Sequence, residues 1–271
     1  SVPGPDFMAC QDCHMPAAEA PGPISSLGGQ PIRPAEQRRS HEFIGAAPDT
    51  LADAVTLDLE AWLAGGALNV EARVANVGAG HAFPTGVSIR NAVLVIEATV
   101  DGQPLSLIDG PTIPFYGSAA GSNASDDVAG RPGRGFARVL EGRINGTGPV
   151  VAPVLFIDAE AVQSDTRILA GEEDVSTYRF ALDGVLVPEA EVSARLLYRR
   201  AWRDLAVTKN WTETPSGEPV QTEVRSLVRT VDLSGVIGDA IAVPALGGFA
   251  MLLLISLLLV AAWASSPSGR R

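Results

Sequence analysis

Apolar and polar residues alternate along much of the chain from residue 55 to residue 233, as they do in half-buried β-strands. Two such runs, residues 55–60 and 69–76, flank the turn Ala64-Gly65-Gly66 and predict a β-hairpin. Residues 91–96 form a continuous apolar run, which is typical of a central strand. Further strand-like runs follow at residues 136–144, 150–157, 176–182, 191–198 and 224–233. Short strands with turn residues between them predict a mainly β chain whose largest part, residues 51–235, is a β-sandwich.

The end of the chain has a different pattern. Residues 246–264 carry no charge over about 19 positions, which is close to the length that spans a bilayer. Trp263 lies at the end of this run, and Arg270 and Arg271 follow it. We predict a single transmembrane helix at residues 243–264 and a basic tail, residues 265–271, which the positive-inside rule assigns to the cytoplasm. The soluble part would then be anchored to the membrane and lie in the periplasm or outside the cell.

Residues 1–50 contain the clearest chemical motif of the chain, Cys10-Gln11-Asp12-Cys13-His14. Cys-x-x-Cys-His is the attachment sequence of a c-type haem, in which two thiols form thioethers with the haem vinyl groups and the histidine coordinates the iron. Because the chain has only two cysteines, a four-ligand zinc site lacks partners at a recognised spacing. A thioredoxin-type redox pair lacks its βαβ context. Prolines and glycines after His14 exclude a long helix, so we predict that residues 1–50 form a short, irregular haem c-binding segment.

Charge and cysteine content narrow the class of protein further. The formal net charge of −11 argues against a nucleic acid partner, since phosphate binding requires a basic face. Haem c is attached outside the bacterial cytoplasm, so the motif implies an exported protein. No leader with a charged start and an apolar centre precedes the motif. We therefore expect the chain to be a fragment of a longer protein.

A haem iron bound by His14 has a sixth position, and the identity of that ligand decides between electron transfer and ligand chemistry. Met15 adjoins His14 and cannot reach the opposite face of the ring, and Met8 is tethered on the proximal side. His41 and His81 remain as candidates for the distal ligand. Ligation by two histidines saturates the iron.

We favour His41, because the turn-rich loop from residue 14 to residue 41 easily crosses the roughly 10–15 Å around a haem edge at about 3.3 Å per residue. His81 is the alternative distal ligand, or a ligand of a neighbouring haem. It lies in a Gly- and Pro-rich loop at a strand end, where functional side chains are often displayed.

The order of four segments resembles the C-terminal portion of bacterial multihaem c-type cytochromes related to the cytochrome c-554 group. The segments are CQDCHMP at residues 10–16, HEFIG at 41–45, GHAFPTG at 80–86 and DTRI at 165–168. The resemblance implies a haem-bearing region followed by a β-rich domain, as part of a multihaem protein. This chain has one haem motif where such proteins have several. Either the other motifs lie upstream, or the chain is a single-haem relative.

The tail carries a second resemblance. Val243-Pro244-Ala245-Leu246, the apolar run and the terminal arginines resemble a carboxy-terminal sorting signal of the Pro-Glu-Pro type. This resemblance implies that the tail is a site of cleavage and transfer to the cell surface.

Three functions compete for this sequence. The first is an extracytoplasmic, membrane-anchored c-type cytochrome that exchanges electrons with redox partner proteins. The second is the terminal portion of a multihaem oxidoreductase that acts on a small nitrogen or sulfur compound. The third is a docking module with a vestigial haem site. We favour electron transfer over catalysis, because the β domain offers no acid–base constellation apart from the candidate iron ligands.

Overall fold

The computed structural model describes residues 9–25, 28–40, 46–121, 124–182, 184–185, 187–215 and 217–234. The predicted transmembrane helix at residues 243–264 and the basic tail at 265–271 lie outside the described residues. Within the described ranges, no helix has the length and apolar character needed to cross a bilayer.

Strands account for most of the regular structure, and the helices are short. Among the described residues the α-helices are α1 (Cys10–His14), α2 (Pro48–Ala54) and α3 (Arg203–Thr208). The strands are β1 (Gly22–Pro23), β2 (Ile32–Arg33), β3 (Val55–Ala64), β4 (Ala67–Asn76), β5 (Asn91–Val100), β6 (Gln103–Pro104), β7 (Leu107–Asp109), β8 (Gly133–Gly142), β9 (Ala159–Asp165), β10 (Glu173–Ala181), β11 (Glu189–Arg199) and β12 (Gln221–Asp232). The prediction of a mainly β chain is confirmed.

Two antiparallel sheets contain the ten strands from β3 onwards. One has the order β3-β4-β10-β7, and the other has the order β12-β11-β5-β8-β9, with β6 paired to β5. Alternate residues of both sheets, among them Leu57, Val70, Leu94 and Leu196, are buried in one shared core. Two sheets whose inner faces meet in one core form a β-sandwich.

The predicted hairpin is β3–β4, paired from Val55 opposite Asn76 to Ala64 opposite Ala67. Gly65 and Gly66 both have positive φ, +59° and +70°, which is the conformation of a two-residue type I′ turn. The Gly-Gly pair is what allows this turn, because a Cβ disfavours positive φ. Asn76 is therefore placed at the end of β4, directly before the loop that carries His81.

The six-stranded sheet is also covered on its outer face. The Gly, Ser, Asp and Pro content of residues 111–135 predicts a long surface loop. In the structure β8 begins at Gly133, and the loop before it buries Ile113, Tyr116 and Val128 against Val93 and Val95 of β5. This second core explains why the first six residues of β5 are all buried. The loop is therefore a packed layer of the domain.

One strand prediction in the next segment is wrong, and one strand there was not predicted. Residues 150–157 form no extended strand and are mostly irregular, because Pro153 interrupts the run and cannot donate to a sheet hydrogen bond. The edge strand is instead β9, whose seven residues are all exposed and so carry no apolar alternation. The strand pairs with β8 through backbone bonds and through the ion pair of Arg138 with Asp165, at 3.0 Å.

The described residues before α2 form only short elements: α1, β1, β2 and one 3-10 turn at Ala35–Gln37. The two ends of this segment run side by side, since Ala18 N donates to Arg38 O at 2.9 Å and Ser40 N donates to Pro16 O at 2.8 Å. The loop that follows the haem motif therefore returns to the motif.

Candidate functional site

Helix α1 presents the Cys-x-x-Cys-His motif as a single short turn. Asp12 accepts a hydrogen bond from Ala9 N at 2.8 Å, which satisfies one of the free amides at the start of the helix. Arg39, from the returning chain, binds the other oxygen of Asp12 at 2.8 Å and donates to Met15 O at 3.4 Å. The ion pair is about one-third exposed on both sides, so it orients the helix and contributes little stability.

Cys10 is an exposed free thiol, and His14 is half-buried. The backbone of Cys13 lies in α1, directly before His14. The predicted distal ligand His41 lies outside the described residues. The alternative, His81, lies in the loop between β4 and β5 and is exposed.

Asn76, the last residue of β4, anchors the loop that carries His81. Its side chain is fully buried and donates to His81 O at 2.8 Å and to Ile168 O at 3.1 Å. Its carbonyl oxygen accepts from Ala79 N at 3.2 Å. The side chain thus uses both of its donors and its acceptor to join the His81 loop to the turn after β9. Sequence reasoning missed this residue, because an asparagine at a strand end has no pattern that distinguishes an anchor from an ordinary turn residue.

Phe83 anchors the loop on the other side of His81. It exchanges backbone hydrogen bonds with Ile168, of 2.7 and 2.9 Å, and its ring is buried in the sandwich core. Gly78 is needed at the start of the loop, because a Cβ there would lie 2.2 Å from Asp53 O. His81 is therefore an exposed side chain on a backbone that is fixed at three points.

The rings of His14 and His81 lie close together and nearly parallel. Their centroids are 6.1 Å apart and their planes differ by 14°. Because a metal–imidazole bond is about 2.0 Å and a ring centre lies about 1.1 Å from its nitrogen, two imidazoles on opposite sides of one metal ion have centres about 6 Å apart. The distance between the two ring centres therefore matches that of two imidazoles bound to one metal ion.

The hydrogen bond of His81 leaves the lone pair of Nε2 available to a metal ion. Nδ1 lies 3.2 Å from Ala82 O. A carbonyl oxygen can only accept, so Nδ1 carries the proton, and the lone pair is on Nε2. A ligating histidine usually donates its second ring N–H to a carbonyl or carboxylate in this way, which fixes its tautomer.

No protein-family model matches the chain, and no curated protein matches it. Its structure is similar to the crystal structure of a penta-haem cytochrome c552 from Thermochromatium tepidum, with a TM-score of 0.51 over 82% of this chain. The two sequences are 22% identical, and the chain covers 47% of that protein, so it spans about half the length of this neighbour. The two proteins share a fold.

Proposed function

We propose that this chain binds one covalently attached haem c and transfers electrons through it. Cys10 and Cys13 would form the thioethers, and His14 and His81 would hold the iron. The observation that supports this proposal best is the pair of nearly parallel imidazoles, 6.1 Å apart, of which one belongs to the Cys-x-x-Cys-His motif. Chain length alone favoured His41 as the distal ligand, and the ring geometry is the reason to prefer His81.

A bound haem supplies one-electron redox chemistry. His14 and His81 saturate the iron, so they leave no open position for a small molecule, which favours electron transfer over catalysis. Asn76 and the Ala82 carbonyl hold His81 in position and in one tautomer. His81 is exposed and His14 half-buried, so the site lies close to the surface, within reach of a redox partner protein.

The similarity to a longer penta-haem cytochrome favours a wider setting for the chain. We infer that the chain is one part of a multihaem protein, in which neighbouring haems supply or remove its electrons. In that setting a reaction of the whole protein with a small nitrogen or sulfur compound would take place at another haem, one with an open position.

We further propose that residues 243–264 anchor the protein in the membrane, with the haem domain on the extracytoplasmic side. The apolar run and the terminal arginines support this proposal, and the sorting-signal resemblance makes the tail a candidate for cleavage. Ending the chain at Asp239 should release protein with an unchanged haem spectrum from the membrane fraction. Truncated protein that still sediments with membranes would refute the anchor.

The haem is tested by expressing the chain in a host with the haem c maturation machinery. We expect haem that stays bound after denaturation, and we expect the double variant Cys10→Ala, Cys13→Ala to lose it. Haem-stained protein in the double variant would refute covalent attachment.

The axial ligands are tested with a matched pair of variants. His81→Ala should give a high-spin spectrum and bind carbon monoxide, while His41→Ala should stay low-spin. The opposite result would return the distal position to His41. Low-spin spectra in both variants would refute the assignment of either histidine. In wild-type protein, nearly parallel axial rings should give a rhombic low-spin electron paramagnetic resonance signal, and the strongly anisotropic signal of perpendicular rings would contradict the geometry.

A further inference from the structure

The loop that carries His81 also forms the wall of a cavity. Residues 84–88 and Arg90 line one side of this cavity, and β8 and the segments that flank β9 line the other. Its volume is about 490 Å³, which is in the range of ligand-binding pockets. It begins three residues beyond His81, so the chain places it within about 10 Å of that residue.

The cavity is cationic. Arg90, Arg138 and Arg167 line it, and no carboxylate does so among the described residues. Asp165 lies beside it and binds Arg167 through two bonds of 2.8 and 2.7 Å and Arg138 at 3.0 Å. One carboxylate therefore compensates two of the three guanidinium groups.

Arg90 has only uncharged partners among the described residues. It lies 3.5 Å from Thr85 O and bonds the hydroxyl of Tyr198, whose pKa is raised, mainly by burial. The hydroxyl is therefore neutral at physiological pH. The positive charge of Arg90 is thus available to a ligand.

Ser88 lines the same wall. Its Oγ is buried and has no hydrogen-bond partner among the described residues. Leu140 and Phe156 add apolar surface. The lining therefore suits an anion that is attached to an apolar body.

We propose that this cavity binds a carboxylate carried on an apolar body, with Arg90 as its main partner. Two sources have this chemistry: a propionate of the haem held by His14 and His81, or a free organic carboxylate. The first source rests on the function proposed above, and the second does not.

The test compares Arg90→Gln and Arg138→Gln with the control Arg195→Gln. Arg195 is a partly exposed arginine on β11 that lies 3.8 Å from Glu223, outside the cavity. Arg138 is 44% exposed, and its replacement leaves the ion pair of Asp165 with Arg167 in place. Arg138→Gln should therefore fold even if loss of the Arg90–Tyr198 contact destabilises Arg90→Gln. Circular dichroism establishes that each protein is folded.

The haem source is tested by redox titration of the haem-loaded protein at several pH values. Loss of a nearby cation raises the pKa of a carboxylate by about one unit or more. We therefore expect the pH range in which the reduction potential falls to move up by at least about one unit in the cavity variants, while the control stays with wild type. The reduction potential itself should also be lower in the cavity variants, because a positive charge stabilises the reduced iron.

The free source is tested by calorimetric titration with benzoate, a carboxylate on an apolar ring. Binding that is weakened about tenfold or more in the cavity variants, and not in the control, supports a free ligand. The absence of both effects, the pH shift in the redox titration and the binding of benzoate, would overturn the proposal. If the wild-type protein contains no haem, the proposed function fails, and the benzoate titration of haem-free protein still decides the cavity.

Discussion

The strongest test of the site geometry is the replacement of Asn76. Its buried amide makes three hydrogen bonds, to His81 O, Ile168 O and Ala79 N. Each such bond contributes about 1 kcal/mol net, so Asn76→Ala should lower the free energy of unfolding by about 3 kcal/mol. This is a large part of the 5–15 kcal/mol that holds a typical domain folded.

Asn76→Asp should be at least as damaging. The isosteric carboxylate keeps the size of the side chain and loses both donors. It would face two carbonyl oxygens in a buried position, where an uncompensated charge is costly. A loss larger than that of Asn76→Ala would show that the donors matter more than the volume.

Denaturant unfolding followed by circular dichroism measures these changes. Asn69→Ala is the matched control, because Asn69 lies on the same strand and donates two bonds across the exposed hairpin turn, at 3.0 and 3.1 Å. We expect the control to lose no more than about 1 kcal/mol. In haem-loaded protein, Asn76→Ala should also increase the fraction that binds carbon monoxide. Equal losses in Asn76→Ala and Asn69→Ala, with unchanged spectra, would refute the role of Asn76 as the anchor of His81.

Three further predictions concern stability. Gly78→Ala should lower the melting temperature by several degrees, because its Cβ would lie 2.2 Å from Asp53 O. The control Gly80→Ala, whose Cβ would have nothing within 4 Å, should melt close to wild type. Equal melting temperatures of the two variants would contradict the close approach at Gly78. Hydrogen bonds from Arg167 and Arg138 lower the pKa of Asp165 to about 2, so the contribution of its carboxylate to stability is present above about pH 4 and is lost as the pH falls towards 2. Between those pH values the wild-type protein should lose more stability than Asp165→Asn. Parallel acid titrations of the two proteins would refute this. Arg199 is buried and donates to three backbone carbonyls. Arg199→Met should therefore lower the free energy of unfolding, measured in urea, by at least about 3 kcal/mol. A loss of less than about 1 kcal/mol would contradict a stabilising role of these bonds.

The β-hairpin and most later strands could be predicted from the sequence because their physics is local. In β4, the buried residues Leu68, Val70, Ala72 and Val74 alternate with less buried ones, and the Gly-Gly turn fixes the pairing with β3. Such signals depend only on neighbouring residues. Where burial does not alternate, as in the fully exposed β9, the same reasoning finds nothing.

The candidate site was only half predictable. The haem motif is local, and His14 follows from it. The meeting of His14 and His81 depends on the register of β4, on Asn76 and on Phe83, and none of these is encoded in the spacing of the two histidines. Chain reach allowed both His41 and His81, because reach sets an upper limit on distance and says nothing about orientation.

The packed layer at residues 110–132 illustrates the same limit. Glycine, serine and proline mark it as a loop, which is correct for its backbone. Its few apolar residues are separated by turns, so they show no period, yet Ile113, Tyr116 and Val128 converge on β5. Their convergence is a tertiary property.

The two imidazoles belong to parts of the chain with different assembly requirements. Helix α1 is a five-residue element formed by local bonds, whereas His81 reaches its position only when β4, the turn at Ile168 and the core around Phe83 are in place. Contacts between distant residues form late in the folding of β-proteins. We therefore expect covalent attachment at Cys10 and Cys13 to need no folded sandwich, and the distal bond to form only at the end of folding. In the proposed haem protein, the spin state of the iron would then change once during maturation of this domain, when the last long-range contacts form.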